Sequence, residues 1–154
     1  MTICVDIQQA SEDPCPDPEQ IRRWVEQALA GKDAEVSLRI VDEAEMTTLN
    51  HRYRGKQGPT NVLSFPFDPP PGVPTDFLGD IVICSSVVAK EAREQGKSLS
   101  AHWVHMVVHG LLHLQGYDHI DPKDALAMEQ VEIKILARLG YDNPYQEEVL
   151  THHE

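Results

Sequence analysis

Apolar residues alternate with polar ones over a few short stretches and recur at helical spacing over several longer ones. Val36, Leu38 and Ile40 point one way between Glu35 and Val41, which predicts a half-buried strand. Ile3–Ile7 reads as a short strand. Val62–Phe67 reads as another, with Pro66 marking a sheet edge or a strand end. Asp80–Cys84 is a fourth, with Gly79 before it. Ile21, Trp24, Val25, Ala28 and Leu29 follow a helical stripe, opened by Asp17 as N-cap and Pro18 at the first position and closed before Gly31. Asp42-x-x-Glu45 resembles a capping box for a helix over Glu43–Tyr53. Further helices are predicted over Ser85–Gln95, over Ser98–Gln115 with Gly116 as its stop, and from Asp121-Pro122 to Leu139. Gly55, Gly58 and Pro59 make Arg54–Asn61 a loop, and the prolines between 69 and 74 forbid regular structure to about Thr75. The order β-α-β-α-β-β-α-α-α predicts an α/β (α+β) fold: a single domain over residues 1–154, with about five helices on a mixed sheet of about four strands.

Composition adds bounds. A chain of 154 residues can bury a core without covalent staples. Cys4, Cys15 and Cys84 are odd in number and scattered, so neither a disulfide framework nor a CxxC metal site is expected. With no membrane-length apolar run and no leader-like start, a reducing cytoplasm is the expected compartment. The net charge is −12, which argues against strong non-specific nucleic-acid binding. The distribution qualifies this. Residues 50–117 hold 5 acids and 6 Lys or Arg, whereas residues 1–49 hold 11 and 4 and residues 118–154 hold 9 and 3. Arg52, Arg54 and Lys56 cluster within the middle segment, the expected place for an anion.

Five of the eight histidines fall between 102 and 119. His109 and His113 stand four apart on a predicted helix, so their imidazoles share one face. Gly116 turns the chain back and lets His119 join them. Three neutral imidazoles with an open fourth position is the donor set of a catalytic zinc. The spacing equals that of one zinc peptidase class, but those enzymes carry a general-base Glu where this chain has Gly110. His102 and His105 lie on the same side of the helix and could compete as ligands, but His119 is better placed, so they are expected to be supporting or partly buried polar groups. His51 is expected on an exposed helix surface, and His152 and His153 in a solvated tail. Asp80 has two readings, orienting a ligand histidine or capping a turn. Arg54 opens a loop poor in acids, and its planar guanidinium suits a phosphodiester.

The run His109-Gly110-x-Leu112-His113-Leu114-x-Gly116-Tyr117-Asp118-His119 resembles the signature of the YbeY family of bacterial metal-dependent endoribonucleases. Tyr53-Arg54-Gly55-Lys56, Pro59–Phe67, Leu78–Ile81 and His102-Trp103-x-His105-Met106 are similar to further blocks of that family. The resemblance implies one zinc per chain on His109, His113 and His119, single-strand-specific RNA cleavage, and a catalytic requirement for Arg54. It also implies maturation of ribosomal RNA, notably the 3′ end of the 16S rRNA, and ribosome quality control. Expected partners are single-stranded RNA, the small ribosomal subunit with its proteins, and an Era-type GTPase; no membrane is expected.

A zinc on three neutral ligands keeps its charge and acidifies the water it binds. That water, or a 2′-hydroxyl beside it, would attack phosphorus, with Arg54 balancing the charge that grows on the phosphate and Arg52 and Lys56 helping to bind it. Two rival readings are a metal hydrolase of another class, such as a peptidase, and a non-catalytic ribosome assembly factor with a structural zinc.

Overall fold

The computed structural model describes residues 3–30, 32–117 and 122–145. The elements are β1 (Ile3–Gln9), α1 (Pro18–Ala28), β2 (Ala34–Val41), α2 (Glu43–Arg54), β3 (Val62–Pro66), β4 (Phe77–Cys84), α3 (Ser85–Gln95), α4 (Leu99–Leu114) and α5 (Pro122–Arg138). This is the expected order. The sheet runs β1-β2-β4-β3, with β1–β2 and β2–β4 parallel and β3–β4 antiparallel. β3 is thus an edge strand, where Pro66 does no harm to a ladder.

Local signals explain most boundaries. The Asp17 side chain accepts from the Glu19 amide at 2.9 Å, and Asp42 accepts from the Glu45 amide at 2.9 Å. The capping box at α2 is only half formed, because the Glu45 carboxylate turns instead to Arg39 of β2, with Nε–Oε2 at 2.6 Å. Asp121, the expected cap of α5, lies outside the described residues.

β4 begins three residues earlier than its apolar run suggests, and Gly79 lies inside it rather than before it. The β2–β4 register shifts between Glu35 and Val36, which pair with Phe77 and Gly79, so Leu78 is an extra residue in β4. Gly79 has φ 141°, and a Cβ there would sit 2.3 Å from the Phe65 carbonyl oxygen and 2.9 Å from the Leu114 side chain. The glycine permits a close crossing; it does not end the strand.

The two sheet faces have separate cores. Val36, Leu38, Ile40, Ile81 and Ile83 face α1 and α4, while Val41, Leu63, Val82 and Cys84 join Met46 of α2 on the other side. α4 lies over β3 and β4 and is flanked by α1, α3 and α5. Surrounded in this way, it is apolar on nearly every side: Trp103, Val104, Val107 and Val108 are fully buried. Among the described residues no helix is long and apolar enough to cross a membrane.

Candidate metal centre

α4 carries His102, His105, His109 and His113 in one row, with successive ring centroids 6.1, 6.3 and 4.6 Å apart. Exposure grows along the row. His102 and His105 are buried, whereas His109 and His113 are half-buried at the end of the helix. The Nε2 atoms of His109 and His113 lie 3.0 Å apart. Two ligands of one tetrahedral zinc, with bonds of roughly 2.0–2.1 Å, stand at a similar separation. The donor chemistry and the convergence of these two imidazoles therefore fit a zinc ion.

The orientation of His109 comes from a residue that the sequence pattern did not single out. Glu132 of α5 has an Oε2 3.1 Å from His109 Nδ1 and 3.1 Å from His105 Nε2, and its Oε1 accepts from the Tyr145 hydroxyl at 2.7 Å. A carboxylate opposite Nδ1 draws the ring proton there and leaves the Nε2 lone pair facing His113. Glu132 is 1% exposed. Burial works against its charge, but hydrogen bonds from His105, His109 and the Tyr145 hydroxyl outweigh this and hold the carboxyl at about 2. His105 is pushed below its ordinary value by burial, against the pull of Glu132. Among the described residues its Nδ1 has no hydrogen-bond partner, as suits the unprotonated nitrogen of a neutral ring. Glu132 did leave a signal: it shares a buried helical stripe with Met128, Ile135 and Leu136, where a carboxylate needs a partner.

A second carboxylate supports the other end of the row. Glu91 of α3 is 2.9 Å from His102 Nε2 and accepts from Asn61 Nδ2 at 3.1 Å. The Asn61 side-chain oxygen accepts from the Val62 amide at 2.7 Å, so the start of β3 is tied to α3 and α4. Burial raises the Glu91 carboxyl, but the bonds from His102 and Asn61 prevail and its value falls below the ordinary one. His102 and His105 are thus buried polar groups, each paired with a carboxylate.

His109 and His113 open into a cleft of about 620 Å³. Asn61 and β3 form one side of it, and Tyr117 lies beyond the end of α4. Tyr53 and Arg54 enter from the end of α2. Arg54 is the last helical residue rather than the first of a loop, and it is exposed. Arg52 and Lys56 are also exposed but do not line this cleft, so the expected basic cluster contributes one cation to it. His51 is exposed, as expected.

Two sequence expectations change here. Asp80 cannot orient a ligand histidine: Gly79 and Ile81 face α4, and Asp80 points to the opposite sheet face, beside Ser37 and Arg39. Strand alternation decides this. Gly110, notable in sequence as the absent peptidase base, has a packing role. A Cβ there would lie 3.0 Å from Ile81 Cγ2, so a larger residue would lever α4 off β4. His119, the third expected ligand, lies outside the described residues, as do His152 and His153. Among the described residues no group of three or more His, Cys, Asp or Glu side chains is arranged to hold a metal ion.

The chain as a whole is similar to known proteins. A family model described as endoribonuclease YbeY matches residues 6–140. An endoribonuclease YbeY from Methylococcus capsulatus is 59% identical over 145 residues, covering 94% of this chain and 97% of that one. Its counterpart from Alteromonas mediterranea is 52% identical over 154 residues, covering 94% and 98%. The solution structure of TM1509 from Thermotoga maritima is similar with a TM-score of 0.59 at 25% identity, covering 88% of this chain and 91% of that one. With the family match running from within β1 to just past α5 and both relatives more than half identical, the chain belongs to the endoribonuclease YbeY family.

Proposed function

We propose that the chain, residues 1–154 as one domain, is a zinc-dependent endoribonuclease that cleaves single-stranded RNA. The observation that carries this reading is the meeting of His109, His113 and Arg54 at one open cleft. In this reading His119 is the third ligand of a single zinc. Such a metal supplies a water acidified to near neutrality and a positive charge beside the phosphate.

The chain's own residues do the rest. Glu132 keeps the His109 Nδ1 proton on its far side, which presents Nε2 as a donor to the metal. Arg54 grips the non-bridging phosphate oxygens through two parallel N–H groups and stabilises the charge that grows on them. Arg52 and Lys56 stand outside the cleft and bind flanking phosphates. A peptidase reading lacks its base, because Gly110 faces Ile81 and the Glu132 carboxylate is committed to Nδ1 of His109.

The family name carried by the two relatives supports RNA as the substrate. The wider reading is maturation of the 16S rRNA 3′ end on the small ribosomal subunit in the cytoplasm, with an Era-type GTPase as a partner. The test uses zinc-loaded protein on a single-stranded RNA, the same RNA in a duplex, and casein. Cleavage of the single strand alone, abolished by chelation and restored by zinc, is expected. Casein cleavage without RNA cleavage would overturn the reading, and a metal-loaded protein that cleaves neither would favour the structural-zinc alternative.

A further inference from the structure

Arg54 has a neighbour that the phosphate-binding reading does not use. Tyr53, the preceding residue on the last turn of α2, lines the same cleft. The residue is 59% exposed, although its ring meets Phe65 of β3 at a centroid distance of 4.9 Å and an angle of 64°. The pair also borders a second hollow of about 450 Å³ on the other side, so it forms a ridge between the two. Tyr117, 36% exposed, lines the cleft from beyond the end of α4. An aromatic ring left this open contributes little to a core, while Phe65 beneath it limits its motion.

Charge explains little of how such a cleft would hold RNA. The chain carries −12, and Arg54 is the one Lys or Arg that lines the cleft among the described residues. Affinity must then come largely from a contact that does not depend on charge. Base stacking on an exposed aromatic ring is such a contact, and it tolerates any base because every base has a π face. It also discriminates, since a paired base in a helix offers no free face.

We propose that Tyr53 stacks on an unpaired nucleobase flanking the phosphate that Arg54 grips, and that this contact sets the preference for single strands. The inference rests on the RNA-cleaving reading and deepens it. Consecutive residues would hold consecutive parts of one nucleotide, a ring for the base and a guanidinium for the phosphate. Tyr53 is in this view a substrate-positioning residue. Stacking assigns the role to the ring rather than to the hydroxyl, which the Tyr53→Phe variant below separates.

Steady-state cleavage of a single-stranded oligonucleotide tests this with wild type, Tyr53→Ala and Tyr53→Phe. Tyr53→Ala is expected to raise KM by roughly 5- to 150-fold, the range of one lost stack, with kcat and zinc content little changed. Tyr53→Phe should restore KM. Single abasic sites beside the mapped cleavage position should weaken binding to wild type by a similar factor and add nothing in Tyr53→Ala. A purely structural role for Tyr53 would not remove that abasic penalty. An active Tyr53→Ala enzyme with wild-type KM, or an equal abasic penalty in both proteins, would overturn the stacking proposal alone. Failure of wild type to cleave RNA would instead overturn the reading on which it rests.

Discussion

At the scale of single residues, the candidate site separates groups that touch a ligand from groups that hold them in place. In the proposed reaction Arg54 belongs to the first kind. Arg54→Ala is expected to lower kcat on RNA by about a hundredfold or more while zinc content and thermal stability stay at wild-type levels. Arg54→Lys should recover little, because a point charge cannot reproduce the two-pronged grip. Glu132 belongs to the second kind. Replacing it leaves His105, His109 and Tyr145 without their common acceptor. Glu132→Gln should therefore weaken zinc binding by roughly 10- to 100-fold in a chelator competition, whereas His113→Ala should remove stoichiometric zinc altogether. Unchanged zinc affinity in Glu132→Gln would reduce this carboxylate to a packing element.

At the scale of elements, the site depends on how closely α4 approaches the sheet. Gly110 sets that distance, with Ile81 directly below it and fully buried. Gly110→Ala gains about 1 kcal/mol of helix propensity but loses about 1–3 kcal/mol to overpacking, because a core isoleucine cannot retreat. Net destabilisation is expected in urea unfolding. Ile81→Val, which removes the Cδ1 atom 3.1 Å from the new methyl, should cost less in the Gly110→Ala background than alone. The link between α3, α4 and the start of β3 is testable through pH. The Glu91 carboxyl is lowered on folding, so its contribution to stability is present above the ordinary value of 4.5 and fades as pH falls below it. Glu91→Gln should flatten the loss of stability on acidification through that window, measured as the urea midpoint against pH.

At the scale of the whole molecule, an acidic protein is proposed to bind an acidic polymer. The middle segment is nearly neutral, and three of its six cations, Arg52, Arg54 and Lys56, end α2 and begin the loop after it. If about three phosphates are neutralised, the logarithm of affinity for a free single strand should fall with log salt at a slope of roughly −2. Binding to small ribosomal subunits should be far tighter at physiological salt. Nanomolar binding to naked RNA with a slope near −5 would refute the dependence on a ribosomal partner.

Much of this was legible in the chain itself, for a reason of range. Caps, stripes and turns act over a few residues, so Asp17, Asp42 and the alternation in β2 place their elements without knowledge of the rest. The i, i+4 spacing of His109 and His113 likewise implies convergence, because helix geometry alone brings their rings together. Other features involve partners far apart in sequence, and these came only with the fold. Glu132 stands 23 residues from His109, and nothing local says that α5 delivers it to Nδ1. Asp80 had two readings, orienting a ligand histidine or capping a turn, and strand alternation removes the first by turning it to the other face. Gly79 looked like a strand boundary, yet its reason is the carbonyl of Phe65 on a neighbouring strand. Tyr53 was one residue in a family-like block, and its exposure beside Arg54 depends on α2 ending at the rim of a cleft that β3 and α4 build. Short-range backbone geometry determines which groups share a helix face; long-range packing decides which carboxylates orient them and which surface remains open to a ligand.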